Sequence, residues 1–212
     1  MGLIERNKKI TDIKKNEIID GMERALLLKS YDRLTIDDVA KEAEYSKKTI
    51  YSYFTSKDDI YLELLIRKFD LLYEMLENAV NGSQVKGVEK IKIIGDAYYR
   101  FSKEYPEYMQ AIINYETNDE DENCEDNSII DRFNKETEKS FLLLEDALRE
   151  GIDSHEISAD INLVDMAIIL WSNINGFIML AYKKGGYVKS HYGKSLDDLF
   201  NLDMEALLRS LR

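Results

Sequence analysis

The sequence predicts an all-α chain, and three observations carry that expectation. Only one proline, Pro106, interrupts 212 residues. Alternating apolar–polar runs of the strand type are nearly absent. Apolar residues recur instead at spacings of three and four, the period of a helix with one buried face.

Taken in order, a first helix is expected over about residues 14–29, with Ile18, Ile19, Met22, Ala25 and Leu26 as its buried stripe. "TIDDVAKEA" opens with Thr35 and puts Asp38 three positions on, the spacing of a capping box. Ile36, Val39, Ala40 and Ala43 then share one face. Ser46 caps a third, short helix through about Tyr53, with Ile50 and Phe54 turned inward. Ser56 with Asp59 repeats the capping pattern and starts a long fourth helix to about Val80.

Residues 81–87, "NGSQVKG", read as a loop. A helix is expected over 88–103, and Pro106 suits the first turn of the next, through about Tyr115. Residues 116–128 hold seven carboxylates and read as a solvated loop. A long amphipathic helix follows over 129–150. The segment 162–182 is apolar nearly all round, so something must cover it on every side. "KKGGYVKSHYGK" reads as a glycine-rich loop, and Ser195 with Asp198 caps a last helix to about Leu211.

Composition narrows the function classes. The net charge is −12, yet residues 1–68 hold 14 Lys and Arg against 13 Asp and Glu, leaving 15 against 28 in the rest. A near-neutral head on an acidic body suits a polyanion approached from one end. No apolar run is expected to reach the roughly 20 residues of a membrane span, and the N-terminus lacks the apolar stretch of a secretory signal. Position 6 is Arg6, so the myristoylation pattern after Gly2 fails. The single cysteine, Cys124, excludes an internal disulfide. A cytoplasmic protein is expected. There is no glycine-rich phosphate loop, no metal-spaced His/Cys set and no nucleophile cluster around Cys124, and both His155 and His191 fall in expected loops. We therefore expect neither an enzyme nor a cofactor or metal.

Two short helices, about 36–43 and 47–53, separated by a turn at "EYS" have the spacing of a helix-turn-helix. In that arrangement the first helix braces and the second lies in the DNA major groove. Inward Ile50 and Phe54 leave Lys47, Lys48, Thr49, Tyr51, Ser52 and Tyr53 for outer faces. Lysines neutralise phosphates, and hydroxyls bond phosphate oxygens or base edges. Thr35 and Lys57, each at a helix start, complete the candidate DNA-binding set. The expected partner is a double-stranded DNA operator. The basic N-terminal arm, with Arg6, Lys8 and Lys9, is expected to be a disordered tail, the alternative being an arm that reaches into a minor groove.

"TIDDVAKEAEYSKKTIYSYFTSKDDIYLELL" resembles the DNA-binding region of the tetracycline-repressor (TetR) family of bacterial regulators. The resemblance covers about residues 14–65. It implies a three-helix head over 1–56 and a helical ligand-binding and dimerisation body over 57–212. Three positions depart from the family pattern. Ser30 replaces a glycine that commonly ends the first helix, Glu44 replaces a turn glycine, and Lys48 replaces a small residue. A left-handed backbone at Glu44 would cost roughly 1–2 kcal/mol.

The resemblance also implies a homodimer and a small-molecule effector. Interface candidates are Ile169, Asn173, Gly176 and Leu180 on the apolar helix, with Leu199, Leu202, Ala206 and Leu207 on the last. Pocket candidates are Tyr98, Phe101, Tyr105, Met109, Ile112, Phe141, Trp171 and Ile174, with Asn175 as polar anchor. Such a lining suits an apolar or aromatic effector. The reading is a repressor released by its effector. The alternative is a DNA-bound adaptor whose body docks a protein.

Overall fold

The computed structural model describes residues 2–82, 85–117 and 127–211. Among the described residues the regular structure is wholly helical: α1 (Leu3–Leu28), a 3-10 turn (Tyr31–Arg33), α2 (Ile36–Glu42), α3 (Lys47–Ile50), α4 (Lys57–Asn81), α5 (Gly87–Glu104), α6 (Pro106–Thr117), α7 (Asn127–Asp153), α8 (Leu163–Tyr192) and α9 (Leu196–Ser210). Most of the acidic stretch, residues 118–126 with Cys124, lies outside the described residues.

Local chemistry sets the helix starts. Thr35 Oγ1 accepts from the Asp38 N–H at 3.3 Å while the Asp38 carboxylate accepts from the Thr35 N–H at 3.0 Å, so α2 begins in a reciprocal capping box. Ser46 caps α3 through the Thr49 N–H, and Ser195 caps α9 through the Asp198 N–H. Ser56 Oγ accepts from the Asp59 N–H, and the Asp59 carboxylate accepts from the Ser56 N–H in return.

Two expectations are corrected. The N-terminal arm is helical from Leu3, so Arg6, Lys8 and Lys9 ride on α1 rather than on a tail. The expected loop at 183–192 is the last third of α8, which runs to Tyr192 and stops at Gly193. Gly193 has φ +63°, the left-handed cap that ends helices. Gly185 is tolerated inside α8 because Leu196 packs where its Cβ would be. His191 consequently sits on a helix, stacked on Tyr187 at 4.9 Å.

The chain divides into two compact units, 1–68 with 118–136 and 69–117 with 137–212. In the first, α1 crosses α2 at Gly21, where an added Cβ would lie 2.5 Å from that of Ala43. Ile18, Met22, Val39, Ile50, Phe54, Ile60, Leu64 and Leu65 form its core. Arg67 pairs with Asp20 at 2.7 Å, and buried Lys68 pairs with Glu23 at 3.3 Å. Arg132 grips Glu63 with two bonds of 2.7 and 3.0 Å, the bidentate geometry a guanidinium is built for.

In the second unit, Tyr99 stacks on Phe200 at 4.0 Å, and Phe177 meets both rings edge-on. The Tyr99 hydroxyl donates to Asp197, which also pairs with Lys103 at 3.0 Å. Burial and that carboxylate push the Tyr99 hydroxyl well above the usual phenol range. Gly95 lets α5 approach α9 closely, since a Cβ there would meet the Met204 methyl at 2.6 Å.

Candidate functional site

The outward face of α2 and α3 begins with the turn between them. Glu44 has φ +59°, and the Tyr45 N–H bonds back to the Ala40 carbonyl at 3.0 Å. That left-handed residue ends α2 and redirects the chain so that Ser46 can start α3. Ile50 is fully buried and Phe54 nearly so, which anchors the inner side of α3. Lys47, Lys48 and Ser52 are exposed, and Tyr51 is half exposed. Thr49 and Tyr53 are half-buried.

Several of these groups already have partners. Lys47 pairs with Asp37 at 3.2 Å between two exposed side chains, a contact of little energy that frees the ammonium readily. Thr49 Oγ1 shares a bond with Ser46 Oγ, and Ser52 Oγ donates to the Thr49 carbonyl. Thr35 is occupied in its capping box. Ser30, with φ −62°, needs no glycine.

Lys57 differs from its expected role at the DNA backbone. Its ammonium donates to the Tyr31 and Leu34 carbonyls at 3.1 and 3.3 Å and sits over the Tyr31 ring. The Tyr31 carbonyl already accepts from the Leu34 N–H at 3.1 Å, so the lysine adds a second donor there and satisfies the Leu34 carbonyl from inside the head. Two further residues belong to this face that the sequence pattern does not single out. Lys14 lies 6.0 Å from the Tyr53 ring centre and Lys15 lies 5.3 Å from that of Phe54. Their adjacency on α1 is visible in sequence, but their position beside α3 is a tertiary fact.

Beneath the face, the Lys29 ammonium and the Thr35 hydroxyl hold the Asp38 carboxyl at about 2. The Glu17 carboxylate accepts from the Tyr45 hydroxyl and pushes that phenol up.

The second unit encloses a cavity of about 280 Å³. Its walls come from α4 (Phe69, Leu72, Leu76), α5 (Ile91, Ile94, Gly95, Tyr98), α7 (Thr137, Glu138, Ser140, Phe141, Leu144), α8 (Leu170, Trp171, Ile174) and α9 (Met204, Leu207). Of the residues expected from sequence, Tyr98, Phe141, Trp171 and Ile174 line it. Asn175 stands behind the wall and accepts from the Tyr98 hydroxyl at 3.0 Å.

Phe101, Met109 and Ile112 do not line it and are fully buried. Phe101 lies one turn beyond the cavity on the same stripe of α5, and no described residue of α6, which carries Met109 and Ile112, reaches the cavity. Tyr105 packs between Phe101 and Tyr108 instead.

The expected interface residues fall on an open face. Ile169 and Leu180 are 50% exposed and Leu202 is 63% exposed. Gly176 has open space where a Cβ would stand, and Ala206 is exposed. Asn173, Leu199 and Leu207 are half-buried, and Leu207 is shared with the cavity wall. The expectation that no segment reaches membrane-spanning length is corrected: α8, at 30 residues, is long and apolar enough by length and composition.

Comparison with known proteins bears on both units. The pattern for "Bacterial regulatory proteins, tetR family" matches residues 18–64. The biofilm operon icaADBC negative transcriptional regulator IcaR of Staphylococcus aureus strain Newman is 34% identical over 91 residues, covering 43% of this chain and 45% of IcaR. IcaR of Staphylococcus epidermidis is 27% identical over 100 residues, 46% of this chain and 54% of its own. The chain thus spans about half the length of the curated relatives it matches.

Among solved structures, FadR of Bacillus subtilis in complex with stearoyl-CoA superposes with a TM-score of 0.71 at 19% identity, over 92% of this chain and 98% of that one. The MbdR regulator of Azoarcus sp. CIB gives 0.69 at 16% identity, over 94% and 99%. These likenesses establish the fold. Within that fold, residues 18–64 carry the sequence pattern of the tetR family of bacterial regulatory proteins.

Proposed function

We propose that the chain is a cytoplasmic transcriptional repressor that grips its operator as a homodimer and lets go when a small, largely apolar effector fills the cavity. The observation that carries the DNA limb is α3 itself. Its inner side is locked by Ile50 and Phe54, while Lys47, Lys48 and Tyr51 face outward. Lysine and hydroxyl groups on a braced, capped helix suit a major groove, with Tyr53 and the nearby Lys14 suited to flanking phosphates. Lys57 acts in this reading by positioning the turn before α2. Two DNA-reading heads of a dimer must reach successive major grooves, roughly 34–36 Å apart.

The relatives add support. IcaR is named a negative regulator, and the B. subtilis FadR structure holds an acyl-CoA. The open apolar face of α8 and α9 supports the dimer. Ile169 and Leu180 on one stripe of α8, and Leu202 on α9, are large apolar residues at least half exposed. Gly176 would allow close helix approach there. A second copy covers this face in our reading, with α8 and α9 of each subunit forming four helices.

The test is titration of the purified chain against DNA flanking its own gene across a range of salt, beside Lys47→Ala. Tight binding with a steep salt dependence, shallower by about 1 in the variant, supports the reading. Absence of any preferred site overturns it, and capture of a protein through the body would favour the adaptor.

A further inference from the structure

The charges and hydrogen-bonding groups around the cavity specify more than an apolar ligand. Every wall is aliphatic or aromatic except on α7 and at the Tyr98 hydroxyl, which is already committed to Asn175. Among the described residues Glu138 is the one charged group of the lining, and it is exposed, which places its carboxylate at the rim. No described lysine or arginine pairs with it; neighbouring Lys139 pairs with Asp70 at 3.7 Å. Two positions on, the Ser140 hydroxyl is buried in the wall with no hydrogen-bond partner.

An unpaired buried hydroxyl is costly, and a ligand that bonds to it recovers that cost. A carboxylate at the rim repels an incoming anion and attracts a cation, and solvent screening there limits the effect while the apolar walls strengthen it on the cavity side. Trp171, Phe141 and Phe69 add aromatic rings to the lining, whose faces attract a cation that reaches them. At about 280 Å³ the cavity stands just below the roughly 300–1,000 Å³ range of ligand pockets, which suits a small ligand body.

We infer that the effector is a small hydrophobic amine, an aromatic or aliphatic body carrying one protonated nitrogen that Glu138 pairs and Ser140 hydrogen-bonds. This rests on the reading of the cavity as the effector site. Glu138 selects by charge, and the apolar walls select by size.

Trp171 is the only tryptophan and lies in the wall, so its emission reports occupancy directly. The probes are 4-phenylbutylamine, 4-phenylbutanol and 4-phenylbutyrate, which share a body and differ in head charge. The amine is expected to bind at least about tenfold more tightly than the butyrate. Glu138→Gln should bring the amine to within about threefold of the alcohol while leaving the alcohol unchanged. Ser140→Ala should weaken the amine in an otherwise folded protein.

Equal or tighter binding of the butyrate overturns the inference. So does a charge preference that survives Glu138→Gln, or the absence of saturable quenching by all three probes. Operator release is measured separately. An amine that binds with the expected preference yet leaves the operator complex intact overturns the effector limb of the proposed function and leaves the charge selectivity standing.

Discussion

The Lys57 ammonium lies 3.9 Å from the centre of the Tyr31 ring and donates to the carbonyl oxygen of the same residue at 3.1 Å. Tyr31 in turn stacks on Tyr61 at 4.2 Å and donates its hydroxyl to Asp58. One lysine thus closes the turn that delivers the chain into α2. Lys57→Ala is expected to destabilise the head by about 1–2 kcal/mol in denaturant titration. It should leave the salt slope of operator binding unchanged, whereas Lys47→Ala makes that slope shallower by about 1. A shallower slope for Lys57→Ala would place its ammonium on a phosphate after all.

Glu44 holds a left-handed backbone with a side chain that gains nothing from it, since it is exposed. Glu44→Gly is expected to stabilise the chain by roughly 0.5–1 kcal/mol, the relief of the αL strain less the added freedom of glycine when unfolded. A denaturation midpoint that moves down would contradict it.

Gly21 is the contact point between α1 and α2, and the Ala43 backbone lies 2.8 Å from where its Cβ would be. Backbone cannot rotate aside as a long side chain can. Gly21→Ala should therefore cost about 1–3 kcal/mol and weaken operator binding by shifting α2 and α3. Wild-type melting of this variant would show that the helices separate freely.

Asp38 gives the head a dependence on acid. Its folded pKa of about 2 lies below its ordinary 3.8, held there first by Lys29 and then by Thr35. A depressed carboxyl favours folding above its unfolded pKa, and that contribution fades as pH falls from about 3.8 towards 2. Wild type and Asp38→Asn should therefore differ in urea midpoint near pH 5 and converge as pH falls through about 2. A gap that stays constant would assign the stability to packing alone.

Leu180 and Leu202 are the test of the open face. Replacing both with glutamate is expected to shift the chain from dimer to monomer in sedimentation at micromolar concentration. A wild-type chain that is monomeric at every concentration would remove the dimer from the proposal.

Most of the helical framework is legible in the residues alone, because its signals are local. Thr35 with Asp38, Ser46 with Thr49, Ser56 with Asp59 and Ser195 with Asp198 are all bonds spanning three residues, and residue spacing predicts them. The buried stripe of Ile36, Val39, Ala40 and Ala43 follows from the helical period. The strain at Glu44 follows from the family resemblance.

Other features are not legible, and each depends on something distant in sequence. The last turns of α8 resemble loop because "GG" breaks isolated helices, yet Leu196 fills the space beside Gly185. Lys57 reads as any exposed cation at a helix start, but the carbonyls that hold it come from more than twenty residues away. For the pocket, periodicity marks Tyr98 and Phe101 alike as apolar-face residues. A stripe does not say whether a neighbour fills the space in front of it.

By itself, then, the sequence determined the all-helical class, the helix starts and the inner and outer sides of α2 and α3. These are set by bonds and periods of three or four residues. Only the tertiary structure decided which apolar residues wall a cavity, where Glu138 and Ser140 stand beside it, and that Lys57 turns inward. Those outcomes depend on volume left unfilled, and on a Leu34 carbonyl left without a backbone donor among the described residues, when segments far apart in the chain pack together.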